Sequence, residues 1–314
     1  MKTWLRRLTF ILATGYILFF YSELMFWARA RPEDSLANWL VTWQVYSLSG
    51  YAMLSAIVGF RAKRRWALFL CGALFGWLTE GVVVQTMYEA FPLQISWTGL
   101  AWHALISVWV GWYGMRRALQ QNQRRYILGL SIGLGCFWGM WGMWWWVESL
   151  ERIAGPGEFA VFALISSSLL FAAYWLWERT AEDGFSLWRA GVIAIGLAYG
   201  GLFVFGAAPA APLAVFVLPP LLLALFLTLE RNRRVEEPGS VLEDLQGKVG
   251  ASSYLLLWAI PFSAIAIYTA AWYLGARIPT GWLVYAVTTP LGFILLAASI
   301  YQIWRGGIRP ETLD

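Results

Sequence analysis

The chain has 314 residues, of which 60% are apolar and 13% charged, and its mean hydropathy is +0.59. A soluble domain of this length cannot hide so much apolar surface, so the composition excludes one and points to a polytopic membrane protein. The net charge of +5 would suit a nucleic-acid partner, but the basic residues sort by loop, which is a topology signal instead.

A spanning helix needs about 20 apolar residues. Ten stretches qualify, at 5–28, 36–60, 66–88, 98–116, 126–147, 159–178, 188–206, 211–229, 252–275 and 280–304. They are continuously apolar, which excludes the alternating strands of a membrane β-barrel. The expected fold is all-α, a polytopic integral membrane helical bundle of about ten transmembrane helices. Lys2, Arg6 and Arg7 precede the first stretch, and Arg61, Lys63, Arg64 and Arg65 follow the second. Arg116, Arg117, Arg124 and Arg125, then Arg179 and Arg189, then Arg231, Arg233, Arg234 and Lys248, and last Arg305 and Arg309 continue the alternation. The opposite connections hold Arg29, Arg31, Arg152 and Arg277. By the positive-inside rule both termini are cytoplasmic, in a plasma membrane of the bacterial inner type. The lipid bilayer is the expected partner and nucleic acid is not.

The first stretch follows a basic flank, but its apolar run is long and meets no small-x-small site before Glu23, so it reads as an uncleaved helix. It ends FFYSELMFWARARPED, placing Glu23 in the outer third, with Pro32 as the expected stop. The third carries Gly72, Gly76 and Glu80 at intervals of four, a small-residue face that packs closely on a neighbour and turns Glu80 into the bundle. In the fourth, His103, Ser107 and Gly111 repeat the same interval. The fifth interleaves glycines with Trp138, Trp141, Trp144, Trp145 and Trp146 and reaches Glu148. Beyond residue 158 no mid-membrane ionisable group stands out, but Pro219, Pro220, Pro261 and Pro290 predict kinked helices. Between the eighth and ninth stretches, Ser240 and Glu243 have capping-box spacing before the apolar stripe Val241, Leu242, Leu245 and Val249, which predicts a short interfacial helix. Cys71 and Cys136 lie at different depths, so no disulfide is expected.

An ionisable side chain at membrane depth is a functional-site candidate by default. Glu23 and Glu80 lie about 15 and 14 residues from the cytoplasmic ends of their helices, roughly 21–22 Å at 1.5 Å per residue, and His103 is near the same level. These three form the expected catalytic set: Glu80 as acid or base, His103 as its partner and Glu23 as a second carboxylate. Trp102, Gln85, Glu148 and Trp146 are the expected substrate-binding residues. No metal-ligand repeat such as HExxH occurs, so no metal is assigned, and the residues name no cofactor. The function expected is an intramembrane enzyme with an outward-facing Glu/His pocket acting on a lipid or isoprenoid. The alternatives are a proton-coupled or small-solute transporter and a structural scaffold.

Two resemblances bear on this. The order TEGVVVQ, connection, ISWTGLAWHAL over Thr79–Leu105 resembles the CAAX-processing and bacteriocin-immunity intramembrane proteases, which place a glutamate motif one helix ahead of a histidine motif. Thr79-Glu80 stands where that family has paired glutamates, and a chain with one histidine lacks the family's second. Ten stretches with both termini on one side also resemble the drug/metabolite transporter architecture of two five-helix halves, here 1–150 with the polar cluster and 151–314 with the prolines, in one continuous membrane domain.

Overall fold

The computed structural model describes residues 3–148, 153–181 and 185–306. Lys2, Arg152 and Arg309 of the charge pattern lie outside the described residues. Helices make up the regular structure, with no strand among the described residues. In chain order the long ones are α1 (Trp4–Trp27), α2 (Leu36–Gly59), α3 (Arg65–Val83) and α4 (Trp97–Met115). Then follow α5 (Arg124–Glu148), α6 (Pro156–Ala181), α7 (Arg189–Ala210), α8 (Ala214–Val235), α9 (Ala251–Tyr273) and α10 (Thr280–Gly306). Among the described residues eight helices, all of these but α2 and α4, are long and apolar enough to cross a membrane, which marks the chain as a multi-pass membrane protein. In α2 and α4, side chains such as Asn38, Gln44, Ser47, Trp97 and His103 dilute the apolar character.

Local chemistry moves several expected boundaries. Helix α1 stops before Pro32, because Ala28 takes the left-handed conformation at φ 54°. Helix α3 ends at Val83 rather than 88, because Gln85 is also left-handed at φ 61°. The Gln85 amide donates to the Val82 and Val83 carbonyls, both at 2.8 Å, satisfying acceptors that the helix end leaves open. Instead of an interfacial helix after α8 there is one turn, Val241–Asp244, flanked by Gly239 and Gly247 at φ 124° and 130°. It still acts as a strap, since the Val241 amide donates to the Ala62 carbonyl at 3.0 Å. Only one of the proline sites coincides with a broken winding. Helix α9 is interrupted at Leu257 and Trp258, where Pro261 cannot donate to the Leu257 carbonyl. Helices α8 and α10 run through Pro219, Pro220 and Pro290.

The chain packs as two compact units. Unit 1 comprises Met1–Ser47, Val110–Asp183 and Leu245–Val287, and unit 2 comprises Leu48–Trp109, Gly184–Asp244 and Thr288–Asp314. Each draws on residues before and after position 150, and the boundaries fall inside α2, α4 and α10.

In unit 1, α5 lies tight against α9, where a Cβ on Gly135 or Gly139 would collide with the Ile260 or Ala264 carbonyl. Phe159 of α6 stacks on Tyr268 of α9 at 4.1 Å. Trp141 and Trp145 of α5 donate to the Phe26 and Trp27 carbonyls, each at 2.6 Å. Those carbonyls end α1 and need a donor where Ala28 breaks the helix. In the connection that follows, Asp34 accepts from the Arg31 guanidinium at 2.9 Å and from the Arg31 amide at 2.9 Å. Burial opposes ionisation of Asp34, but the bonds from Arg31 outweigh it and hold the carboxyl below its ordinary range.

In unit 2, α3 packs on α4 through the predicted glycine face. A Cβ on Gly72 would lie 3.0 Å from the Ala104 Cα, and one on Gly76 would collide with the Gly99 carbonyl. Both cysteines are free thiols, Cys71 buried and Cys136 partly so.

Gly76→Ala pushes α3 off the α4 backbone and is expected to cost about 1–3 kcal/mol, read as a lowered unfolding midpoint and folded yield in detergent. For the connection, a depressed carboxyl pKa contributes stability above the unfolded value of about 3.9 that is lost as pH falls through the folded value. The gap in Tm between the wild type and Asp34→Asn is therefore expected to be full at neutral pH and to close in acid. A gap independent of pH would mean that the carboxylate charge contributes nothing.

Candidate functional site

Helix α3 changes winding just where its glycine face reaches the carboxylate. Thr79–Val83 is wound as a π-helix, with Glu80 in its first turn, and so is Trp97–Met115, which carries His103. π-wound stretches add a residue per turn and occur often at functional sites. The side chains meet across the α3–α4 contact: Glu80 Oε1 and His103 Nε2 share a hydrogen bond of 2.7 Å. Both residues are buried, at 7% and 3% exposure.

The rest of the carboxylate is also occupied. Thr86 donates to Glu80 Oε2. Phe75, one turn before Thr79, sets its ring edge-on to the imidazole at 5.3 Å. Behind the pair, Thr79 Oγ1 donates to the Phe75 carbonyl at 2.9 Å and lies 3.4 Å from Ser49 Oγ. Ser49 in turn meets the Tyr199 hydroxyl at 2.5 Å. One proton shared between Glu80 and His103 can sit on either partner, and either arrangement leaves the couple neutral overall. That matters at this depth, because an unpaired charge taken out of water costs several kcal/mol.

Glu23 lies in unit 1, on the π-wound segment Phe20–Leu24 of α1, where it accepts from the Tyr46 hydroxyl at 2.8 Å and the Trp27 indole at 2.7 Å. Glu148 and Trp146 are in unit 1 too. Glu148 accepts from the Gly281 amide at 3.0 Å, capping the N-terminus of α10 with a charge of the favourable sign. The Trp146 indole donates to the Tyr268 hydroxyl at 2.9 Å. Gln85 is spent on the end of α3. Trp102 is buried beside His103 and sits edge-on to Trp97 at 5.9 Å. Within unit 2 the structure brings the expected Glu80 and His103 into contact, with Trp102 next in the chain.

Thr86 escaped the sequence reading for a geometric reason: it reaches Glu80 only because Gln85, left-handed at φ 61°, reverses the chain.

Among the described residues, no three His, Cys, Asp or Glu side chains come together as a metal set. Unit 2 also holds an apolar groove of about 790 Å³, lined on α3 by Leu74, Leu78 and Val82 and on α7 by Tyr199. Glu80 and His103 are not among its lining residues.

Comparisons with family models, with curated proteins and with solved structures find no match for this chain. Function must therefore be argued from the site.

Removing the Thr86 hydroxyl leaves a carboxylate oxygen short of a donor, at a cost of about 1–3 kcal/mol. Thr86→Val is thus expected to lower the unfolding midpoint while Thr86→Ser preserves it. Equal midpoints for both would show that the hydroxyl bond carries no stability.

Proposed function

We propose that this chain is a ten-span membrane protein with both termini cytoplasmic, in a plasma membrane of the bacterial inner type. We further propose that Glu80 and His103 form the acid–base couple of an intramembrane enzyme acting on a lipid or isoprenoid. The span count is supported by α2, whose 24 residues extend about 36 Å, more than a hydrocarbon core of about 30 Å. It is also supported by α4, which continues as an α-helix through Arg116–Gln120. The orientation rests on the alternation of the basic connections.

The observation that carries the enzymatic reading is the 2.7 Å contact between a buried carboxylate and the chain's only imidazole. A desolvated couple of this kind holds a proton ready for an apolar acceptor and takes one back without changing its net charge. The apolar groove gives such a molecule a place on the neighbouring face of α3, where Leu78 and Val82 flank Glu80 in sequence. To act on it, Glu80 has to turn away from His103 and release Thr86, and π winding, with its extra residue per turn, gives the segment room to do so.

A second reading is favoured by a separate observation. Thr86 and His103 between them engage both carboxylate oxygens, and the groove lining omits Glu80, as a clasp that fixes α3 against α4 would require.

Glu80→Gln separates the two. The amide keeps the size and hydrogen-bonding reach of the carboxylate but cannot transfer a proton. The purified full chain is incubated with a total bacterial lipid extract and the lipid masses are followed. On the enzymatic reading the wild type converts one lipid class, and Glu80→Gln loses roughly a hundredfold or more of that rate with an unchanged unfolding midpoint. If the wild type converts none, or if the variant loses its fold along with its rate, the couple is a clasp.

A further inference from the structure

The apolar groove of unit 2 has one charged end. Its charged lining residues are Arg189, which opens α7, and Arg233, near the end of α8, and no carboxylate lines it among the described residues. The two arginines share an end because the helix termini that carry them meet there. The Asn232 side chain of α8 donates to the Phe60 carbonyl, just past α2, at 3.0 Å, and a Cβ on Gly59 would lie 3.7 Å from Leu187, just before α7. Arg233 shares its guanidinium with Glu230 at 2.8 Å, so its charge is already matched. Arg189 is exposed and forms no ion pair among the described residues. It is therefore the cation that a ligand can use.

From that end the groove follows α7 to Phe203, about 21 Å at 1.5 Å per residue. This exceeds the hydrocarbon of one leaflet, about 15 Å or half of the core. Gly196 lies halfway along, where an added Cβ would meet nothing within 4 Å, so the channel is open there. Ser55 lines the groove on α2, about 6 Å before the helix end at Gly59. It is buried, and its hydroxyl has no hydrogen-bond partner, a state that costs free energy until an acceptor arrives. The groove thus presents, in order, a cation, a hydroxyl donor and an apolar channel.

We propose that it binds an anionic diacyl glycerophospholipid, with the phosphate on Arg189, an ester carbonyl accepting from Ser55 and an acyl chain along α7. Such a lipid carries its groups in the same order, since the ester carbonyls stand between phosphate and chains. Arg189 brings an unshared positive charge. It favours a headgroup of net negative charge over a zwitterionic one, whose own ammonium already answers its phosphate. Binding requires no step at Glu80; where the enzymatic reading proposed above also holds, the same groove names its substrate class.

The test is native mass spectrometry of the full-length protein equilibrated with vesicles holding equal parts phosphatidylglycerol, phosphatidylethanolamine and phosphatidylcholine of the same acyl chains. The wild type is expected to retain phosphatidylglycerol over each of the others by roughly fivefold, the scale of one arginine at an anionic membrane surface. Arg189→Gln is expected to level the three, whereas Arg125→Gln, at an exposed position outside the groove, keeps the ranking. Gly196→Leu fills the channel and is expected to reduce retention of all three. Ser55→Ala is expected to lower retention of phosphatidylglycerol roughly threefold without changing that of its dialkyl ether analogue. Equal retention of the three headgroups by the wild type overturns the proposal. So does an equal loss of preference in Arg189→Gln and Arg125→Gln, which assigns it to the basic surface at large, or a Ser55→Ala loss that the ether analogue shares. Phosphatidylglycerol retained but not converted removes the enzymatic reading alone, and a lipid converted without preference for an anionic headgroup removes this proposal alone. The wild-type ranking decides even if a variant does not fold.

Discussion

A carboxylate buried in an apolar helix pair constrains everything packed around it. Placing Glu80 at membrane depth costs a few kcal/mol on insertion scales, and the neighbours must return that through contacts that reach it. His103 supplies the opposite or exchangeable charge at 2.7 Å, while Thr86 supplies a donor to the other oxygen. Each comes from a different local device: a π-wound facing helix and a left-handed reversal at Gln85. The couple meets because the backbone around it departs from regular α geometry on both sides.

The glycines make that contact possible. Side chains as short as a carboxylate and an imidazole bridge two helices at hydrogen-bond distance only when the backbones nearly touch. Gly76 on α3 and Gly99 on α4 allow this, because a Cβ at Gly76 would strike the Gly99 carbonyl. Small residues in membrane helices permit close packing without any hydrophobic driving force between the helices. Here the same closeness excludes water from the couple. Unit 1 repeats the device with Gly135 and Gly139 against α9, but there it brings no ionisable pair together, so the glycine face positions chemistry only where a titratable residue continues it.

That distinction explains how much of the site could be seen in the sequence. The interval of four from Gly72 through Gly76 to Glu80 marks a face, and a face on a membrane helix has to meet something. His103 was the natural partner as the single imidazole on the next helix. Glu23 continues no such face, and its bonds to Tyr46 and Trp27 within unit 1 are not announced by its depth along the helix. Indoles and carboxylates near a helix end serve as readily to satisfy backbone groups as to bind a ligand, and Trp141, Trp145 and Glu148 each do the former. The helices themselves were legible because continuous apolar runs leave few alternatives; their ends were not, because Ala28 and Gln85 adopt left-handed conformations that neither residue type announces.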